Sequence, residues 1–99
     1  MKILAIEREL PGATDEQFRP EVLEAEATRA WELYQAGVVR ELYFRADRTE
    51  AVLVLECANV EEARDALNSL PLVREQAIAF DFIPLRAYPG FARLFASDK

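Results

Sequence analysis

One acidic residue of the longest predicted helix falls where the hydrophobic stripe of that helix should be. On a helical wheel of about 100° per residue, Glu26 lies between Leu33 and Ala30, inside the apolar arc. Such a carboxylate lies either at the rim, paired with Arg40 or Arg45, or against a cavity. If it is buried, desolvation raises its pKa, which suits a general acid or base.

The strand that follows this helix supplies a cation as the second candidate for a site. Arg40 is predicted to share a strand face with Leu42 and Phe44. A guanidinium among apolar neighbours suits recognition of a carboxylate ligand. The alternative is a structural ion pair between Arg40 and Glu26 or Glu7.

Several aromatic and basic residues are candidate ligand contacts. Tyr34 and Tyr43 could each donate a hydroxyl group to a ligand, although tyrosines in such positions are often core residues with a satisfied hydroxyl. Arg48 lies in a predicted hairpin turn, where a solvated side chain is the alternative to a functional one. Trp31 belongs to the same helical stripe as Glu26 and could form part of a pocket wall.

The residue types that are missing restrict the chemistry. The chain has no histidine, which removes the commonest general base and the commonest transition-metal ligand. Its one cysteine, Cys57, lies in an apolar strand pattern typical of a buried, inert thiol. The three glycines stand too far apart to form a phosphate-binding loop. We therefore predict no metal and no cofactor, and chemistry based on carboxylates, tyrosine, arginine or lysine.

Composition indicates one ordinary globular domain spanning residues 1–99. The chain is 52% hydrophobic and 30% charged, and its net charge of −6 argues against binding to nucleic acid or to anionic membranes. No apolar run approaches the roughly 20 residues needed to span a bilayer. In the first ten residues, MKILAIEREL, charged side chains interrupt the apolar segment before it is long enough for a signal peptide. We predict a cytoplasmic location.

The order of predicted elements is β-α-β-β-α-β, which is the ferredoxin-like α+β arrangement with a four-stranded antiparallel sheet and both helices on one face. Local signals mark the elements: Pro20 at a helix start, Gly37 at its end, and Asn59 with Glu62 opening a second helix that Pro71 ends. The predicted strands are 2–10, 38–46, 51–57 and 78–85, and the long helix runs from residue 20 to about 36.

The predicted strands are apolar on both faces, although two helices can cover only one. A sheet with one wet face should alternate apolar and polar residues. We therefore predict that a second copy of the sheet covers the other face, giving a dimeric α/β barrel. The segment 86–99 is predicted to dock on its own subunit or on the partner, and we favour a part in the dimer; packing under its own helices is the alternative. Its apolar anchors are Tyr88, Phe91, Leu94 and Phe95.

Two long stretches, GVVRELYFRADRTEAVLVLECANVEEARDALNSLPL and FDFIPLRAYPGF, resemble the muconolactone isomerase-like branch of the dimeric α/β barrels, and more distantly YCII-type proteins. The resemblance implies a small-molecule cavity between sheet and helices and a metal-free site for proton transfer or lactone isomerisation. Aligned through Gly37, the helix acid of that family falls on Glu26, its strand arginine on Arg40 and an aromatic on Tyr43. Arg48 stands where the family carries a histidine.

Two functional hypotheses follow. The first is a homodimeric or larger isomerase-like protein acting on a small lactone or an aromatic-derived acid, with Glu26 as proton-transfer group and Arg40 as anion anchor. In it, the substrate contacts are Tyr43, Trp31, Arg48 and Tyr34. The second is a non-catalytic dimeric barrel module that binds a metabolite or a protein partner. A cavity reached by both Glu26 and Arg40 favours the first, and a surface pair between them without a void favours the second.

Overall fold

The computed structural model describes residues 1–96 and has one four-stranded antiparallel sheet. The strands are β1 (Lys2–Glu9), β2 (Val39–Phe44), β3 (Ala51–Glu56) and β4 (Ile78–Pro84), and their order in the sheet is β2-β3-β1-β4. The helices are α1 (Pro20–Gln35), α2 (Val60–Leu67) and the short α3 (Pro71–Arg74), with 3-10 turns at Asp15–Phe18 and Gly90–Leu94. This confirms the predicted α+β fold, to which α3 is an addition. The prediction that Pro71 ends the second helix is wrong: α2 already ends at Leu67, and Pro71 begins α3.

The ends of the helices follow from their local sequence. Gly37 adopts φ +82°, a conformation that glycine reaches without steric cost. The chain can therefore turn so that the N–H of Val38 donates to the carbonyl of Leu33 at 3.0 Å, the hydrogen bond that closes a Schellman motif. At the start of α2, the Asn59 side chain accepts from the N–H of Glu62 at 2.8 Å. The predicted capping residues are therefore confirmed.

The hydrophobic core lies between the helices and one face of the sheet. Alternate residues of the two central strands point into it, and several, including Ile3, Ala5 and Leu55, are fully buried. Leu33 of α1 and Leu67 of α2 pack against them. Cys57 is buried in the same cluster, and burial raises the pKa of its thiol, as expected for an inert cysteine.

The outer face of the sheet is apolar at its centre. The strand register places Leu4 between Val54 and Ile83, and Ile6 beside Val52. Four of these side chains are half-buried and Ile83 is exposed. The helices pack on the opposite face, so within residues 1–96 no helix lies over this surface.

The chain beyond β4 leaves the body of the domain. Its last link to the sheet is the hydrogen bond from the N–H of Leu85 to the carbonyl of Lys2, at 2.9 Å. The molecule measures 65 Å along its longest axis but only 28 and 22 Å along the others. Phe95 is 83% exposed, and Tyr88, Phe91 and Leu94 are also exposed. The tail therefore does not pack under its own helices; residues 97–99 of the predicted docking segment lie outside the described residues.

Among residues 1–96, no helix is long and apolar enough to cross a membrane. The cytoplasmic location stays a prediction.

Candidate functional site

A cavity of about 530 Å³ lies between α1 and the helix-facing side of the sheet. Its walls are mainly leucine, phenylalanine and alanine side chains. The void exists because three facing positions, Ala27 and Ala30 on α1 and Ala51 on β3, carry only methyl groups and cannot fill the space between helix and sheet. The volume is in the range of small-molecule sites, which are typically about 300–1,000 Å³.

Glu26 enters this cavity from α1. Its Oε1 accepts a hydrogen bond from the N–H of Leu72 at 2.9 Å, which holds the carboxylate against the start of α3. Burial raises the pKa of Glu26 by desolvation, the Leu72 hydrogen bond partly opposes this, and the negative charge of Glu7 raises it further. Glu26 does not form the ion pair of the alternative prediction, because Arg45 pairs with Asp47 at 2.7 Å and Arg40 donates to the carbonyl of Gly37.

Glu7 enters the same cavity from β1. Its Oε1 accepts from the N–H of Ala51 at 3.0 Å. Desolvation raises the pKa of Glu7, against the effect of the Ala51 hydrogen bond and with smaller contributions from Glu50 and Glu9. The sequence predicts Glu7 only as a possible ion-pair partner of Arg40. Strand alternation could have found it, since Glu7 continues the inward-facing series of Ile3 and Ala5.

Arg40 does not reach the cavity. A β-bulge lies between Val39 and Glu41, and the extra residue breaks the alternation from which the facing of Arg40 was predicted. The exposed Arg40 side chain turns back, and its Nε donates to the carbonyl of Gly37 at 2.6 Å. The structure therefore does not bring Arg40 to Glu26.

A match to a family model covers most of the chain. The model described as muconolactone delta-isomerase matches residues 3–90. The chain belongs to the muconolactone delta-isomerase family.

The fold of this family member also matches a solved structure. A crystal structure of muconolactone isomerase at 3.3 Å resolution superposes with a TM-score of 0.74, covering 90% of this chain and 92% of that one at 23% sequence identity. This likeness confirms the fold. No curated protein matches the sequence significantly.

The other predicted contacts of this family member are divided between the cavity and the surface. Tyr43 lines the cavity, but its hydroxyl donates to Glu41 Oε1 at 2.8 Å, which raises the pKa of the phenol. Trp31 and Tyr34 stack with ring centroids 5.7 Å apart on the exposed side of α1. Arg48 is exposed in the β2–β3 turn, 3.8 Å from Glu50. Of the six predicted residues, Glu26 and Tyr43 line the cavity; Arg40, Trp31, Tyr34 and Arg48 do not.

A second depression, of about 590 Å³, lies beside α1 and α3. It is an open groove whose Arg29 is held by Ser69 at 2.8 Å and Glu32 at 2.9 Å. Within residues 1–96, no group of three or more cysteine, aspartate or glutamate side chains is arranged to hold a metal ion. The partly open apolar cavity with two carboxylates is therefore the candidate site.

Removing either cavity carboxylate is expected to stabilise the fold at about pH 8. Because burial raises the pKa of Glu7 and Glu26, each ionised carboxylate opposes folding above its raised pKa. Below the ordinary pKa of 4.5 both groups are neutral in the folded and in the unfolded protein, so this opposition is absent. Glutamine is neutral throughout, and its amide oxygen can accept the same backbone hydrogen bond. Glu7→Gln and Glu26→Gln should raise the melting temperature at about pH 8 and lose this advantage at about pH 4.

The measurement is thermal unfolding across that pH range. Glu24→Gln is the matched control, since it removes the same charge from an exposed position of α1. A lower melting temperature at about pH 8 for both cavity variants would show that neither carboxylate is destabilised by burial.

Proposed function

We propose that this protein binds a small unsaturated lactone in the cavity and moves a proton between two carbons of the ring, with Glu26 as the proton-transfer group. The observation that supports this most strongly is a half-buried carboxylate in an apolar cavity, anchored through one oxygen by Leu72. Membership of the muconolactone delta-isomerase family supports the same reaction class.

The chemistry needs only one carboxyl group that can accept and return a proton. In a lactone whose double bond is not conjugated, Glu26 would remove a proton from the ring carbon α to the carbonyl, leaving a dienolate with its charge on the carbonyl oxygen. The same carboxylic acid would then deliver the proton to the γ carbon, so the double bond moves into conjugation with the carbonyl and Glu26 is again ionised. A raised pKa makes the carboxylate a better base near neutral pH. Because Oε1 is held by Leu72, Oε2 is the oxygen that would carry the proton.

The remaining substrate contacts are supported unequally. Tyr43 borders the cavity, but it pairs with Val52 of the outer sheet face and its hydroxyl is held by Glu41, which gives little support to a contact with the ring. Trp31 and Tyr34 form an exposed aromatic pair on α1, suited to a covering segment or to a substrate that extends out of the cavity. The positions of Arg40 and Arg48 give no support to their predicted contacts with substrate.

We also infer that the protein is a homodimer formed through the outer face of the sheet. The apolar centre of that face consists of Leu4, Ile6, Val52, Val54 and Ile83. Fully burying a side chain of this kind contributes roughly 1.5–3 kcal/mol, so two identical faces packed by two-fold symmetry would gain enough to associate.

The tail supports the same assembly. Its exposed aromatic residues extend away from the protomer, and such an apolar segment is better covered than left in water. Tyr88 packs edge to face on Phe91, with centroids 5.1 Å apart, and a Cβ at Gly90 would overlap the Tyr88 ring. We propose that this preformed cluster docks on the partner subunit.

Hydrogen exchange and isomerisation of a simple lactone test the proposed reaction. The substrate is 5-methyl-2(3H)-furanone in D2O, followed by proton NMR for conversion to its conjugated isomer, 5-methyl-2(5H)-furanone, and for deuterium uptake. We expect conversion that is proportional to protein concentration. Binding without conversion, detected as a rise in melting temperature with lactone, would support the non-catalytic module instead.

A further inference from the structure

The backbone donors beside the Glu26 carboxylate can be accounted for one by one. Among residues 70–74, the N–H groups that donate to backbone carbonyls, at 3.0–3.1 Å, are those of Leu70, Val73 and Arg74. Pro71 has no N–H, because its ring occupies the backbone nitrogen. The N–H of Leu72 is therefore the one donor that this segment has left, and it donates to Glu26 at 2.9 Å.

The Glu26 carboxylate is consequently held through one oxygen. Oε1 accepts from Leu72, and among residues 1–96 neither oxygen has a second hydrogen-bond donor or an ion-pair partner. A carboxylate that accepts two or three backbone N–H groups is strongly stabilised in its charged form and is a poor base. A single donor fixes the direction of the carboxylate and leaves Oε2 able to take up a proton.

Position 71 is where a second donor would stand. Any residue other than proline would place an N–H directly beside that of Leu72, at the start of α3, where the first N–H groups have no partner within the helix. That N–H would be available to the second oxygen of Glu26. A helix can begin here without proline, since α2 begins at Val60, although proline is common at this position.

We propose that Pro71 is a positioning residue for Glu26: because it lacks an N–H beside the Leu72 donor, the carboxylate is held at Oε1 and stays free at Oε2. The inference rests on the proposed function, since it treats Oε2 as the oxygen that takes the proton. It deepens that function by naming a residue that lies outside the cavity lining and acts only through Glu26.

Two substitutions restore the missing donor. Pro71→Ala and Pro71→Val both supply an N–H, and valine stays close in size to the half-buried proline ring. Pro20→Ala is the matched control, because Pro20 is the first residue of α1 and lies outside the cavity lining. In each full-length protein, carbon-13 NMR follows the titration of the Glu26 carboxyl group. Initial rates of isomerisation of 5-methyl-2(3H)-furanone give kcat and KM, and thermal unfolding shows whether each variant is folded.

Both Pro71 variants should lower the pKa of Glu26 by about one pH unit or more, because an added hydrogen bond favours the charged form. The value of kcat should fall about tenfold or more and KM should change less than about twofold, since the lost basicity affects proton transfer and not lactone binding. Pro20→Ala should leave the pKa, kcat and KM at their wild-type values. Glu7, whose charge also raises the pKa of Glu26, is present in every variant, so the difference reports on residue 71.

The results that would overturn the inference differ from those that would overturn the proposed function. An unchanged pKa of Glu26 in both folded Pro71 variants would overturn the inference alone, provided that the wild type isomerises the lactone. A loss of kcat in Pro71→Ala that Pro71→Val restores, or a failure of both variants to fold, would also overturn it, because the ring itself would then be what matters. A lowered pKa in both variants of a protein that does not isomerise the lactone would support the control of Glu26 by residue 71 and reject the proposed function.

Discussion

Val54→Glu is expected to convert the protein from a dimer into monomers. Val54 lies at the centre of the outer sheet face, paired with Leu4 on β1 and with Glu41 on β2. In the proposed dimer, two-fold symmetry would bury two new carboxylates in one interface. An unpaired buried charge costs several kcal/mol, so the dissociation constant should rise at least about 1,000-fold. Sedimentation velocity should give about twice the 11.3 kDa protomer mass for the wild type and a single protomer mass for the variant.

Thr28→Glu is the matched control for this experiment, because it adds the same charge to an exposed position of α1. It should leave the wild-type dimer intact. Thermal unfolding of each variant shows whether the protomer itself is folded. A wild-type protein that sediments as a monomer at submillimolar concentration would contradict the proposal that a second subunit covers the outer face of the sheet. It would also contradict the dimeric barrel.

Glu26→Gln is expected to reduce lactone isomerisation about 100- to 10,000-fold, the usual contribution of a general acid or base. Glutamine has nearly the same shape and can still accept from the N–H of Leu72, but it cannot take up and return a proton. Binding of the neutral lactone should therefore change little, so that the loss appears in kcat and not in KM. Initial rates measured by NMR over a range of lactone concentrations, for the wild type and the variant, give both quantities.

Glu7→Gln is the comparison that separates proton transfer from simple removal of a cavity charge. The negative charge of Glu7 raises the pKa of Glu26, so its removal lowers that pKa. The acid limb of the pH–rate profile should then move to lower pH, with much of the rate retained. If Glu26→Gln turned over the lactone at the wild-type rate, Glu26 would not be the proton-transfer group.

Much of the fold follows from signals that act over a few residues. The left-handed turn at Gly37 and the Asn59 cap depend only on local backbone chemistry, and both are present. Glu26 stood out because one carboxylate inside an apolar helical stripe is rare, and four residues of that stripe line the cavity: Leu23, Ala27, Ala30 and Leu33. These features could be predicted because sequence neighbours determine them.

The parts that were missed depend on the whole fold. A bulge adds one residue to β2 at Arg40, so strict period-2 alternation cannot determine where that side chain lies. The extent of the cavity depends on how closely α1 approaches the sheet, and Trp31 and Tyr34 lie on the exposed side of that helix. Glu7 is a different case, since the alternation after Ile3 and Ala5 already pointed it inward.

Carbon-13 NMR of the side-chain carboxyl groups can observe the two cavity glutamates themselves, with their signals assigned from Glu7→Gln and Glu26→Gln. We expect both carboxyls to titrate above the ordinary value of 4.5, and both signals to move when 5-methyl-2(3H)-furanone is added. Titration of both groups at or below that value, with signals unaffected by the lactone, would mean that the carboxylates lie in water and that the ligand binds elsewhere.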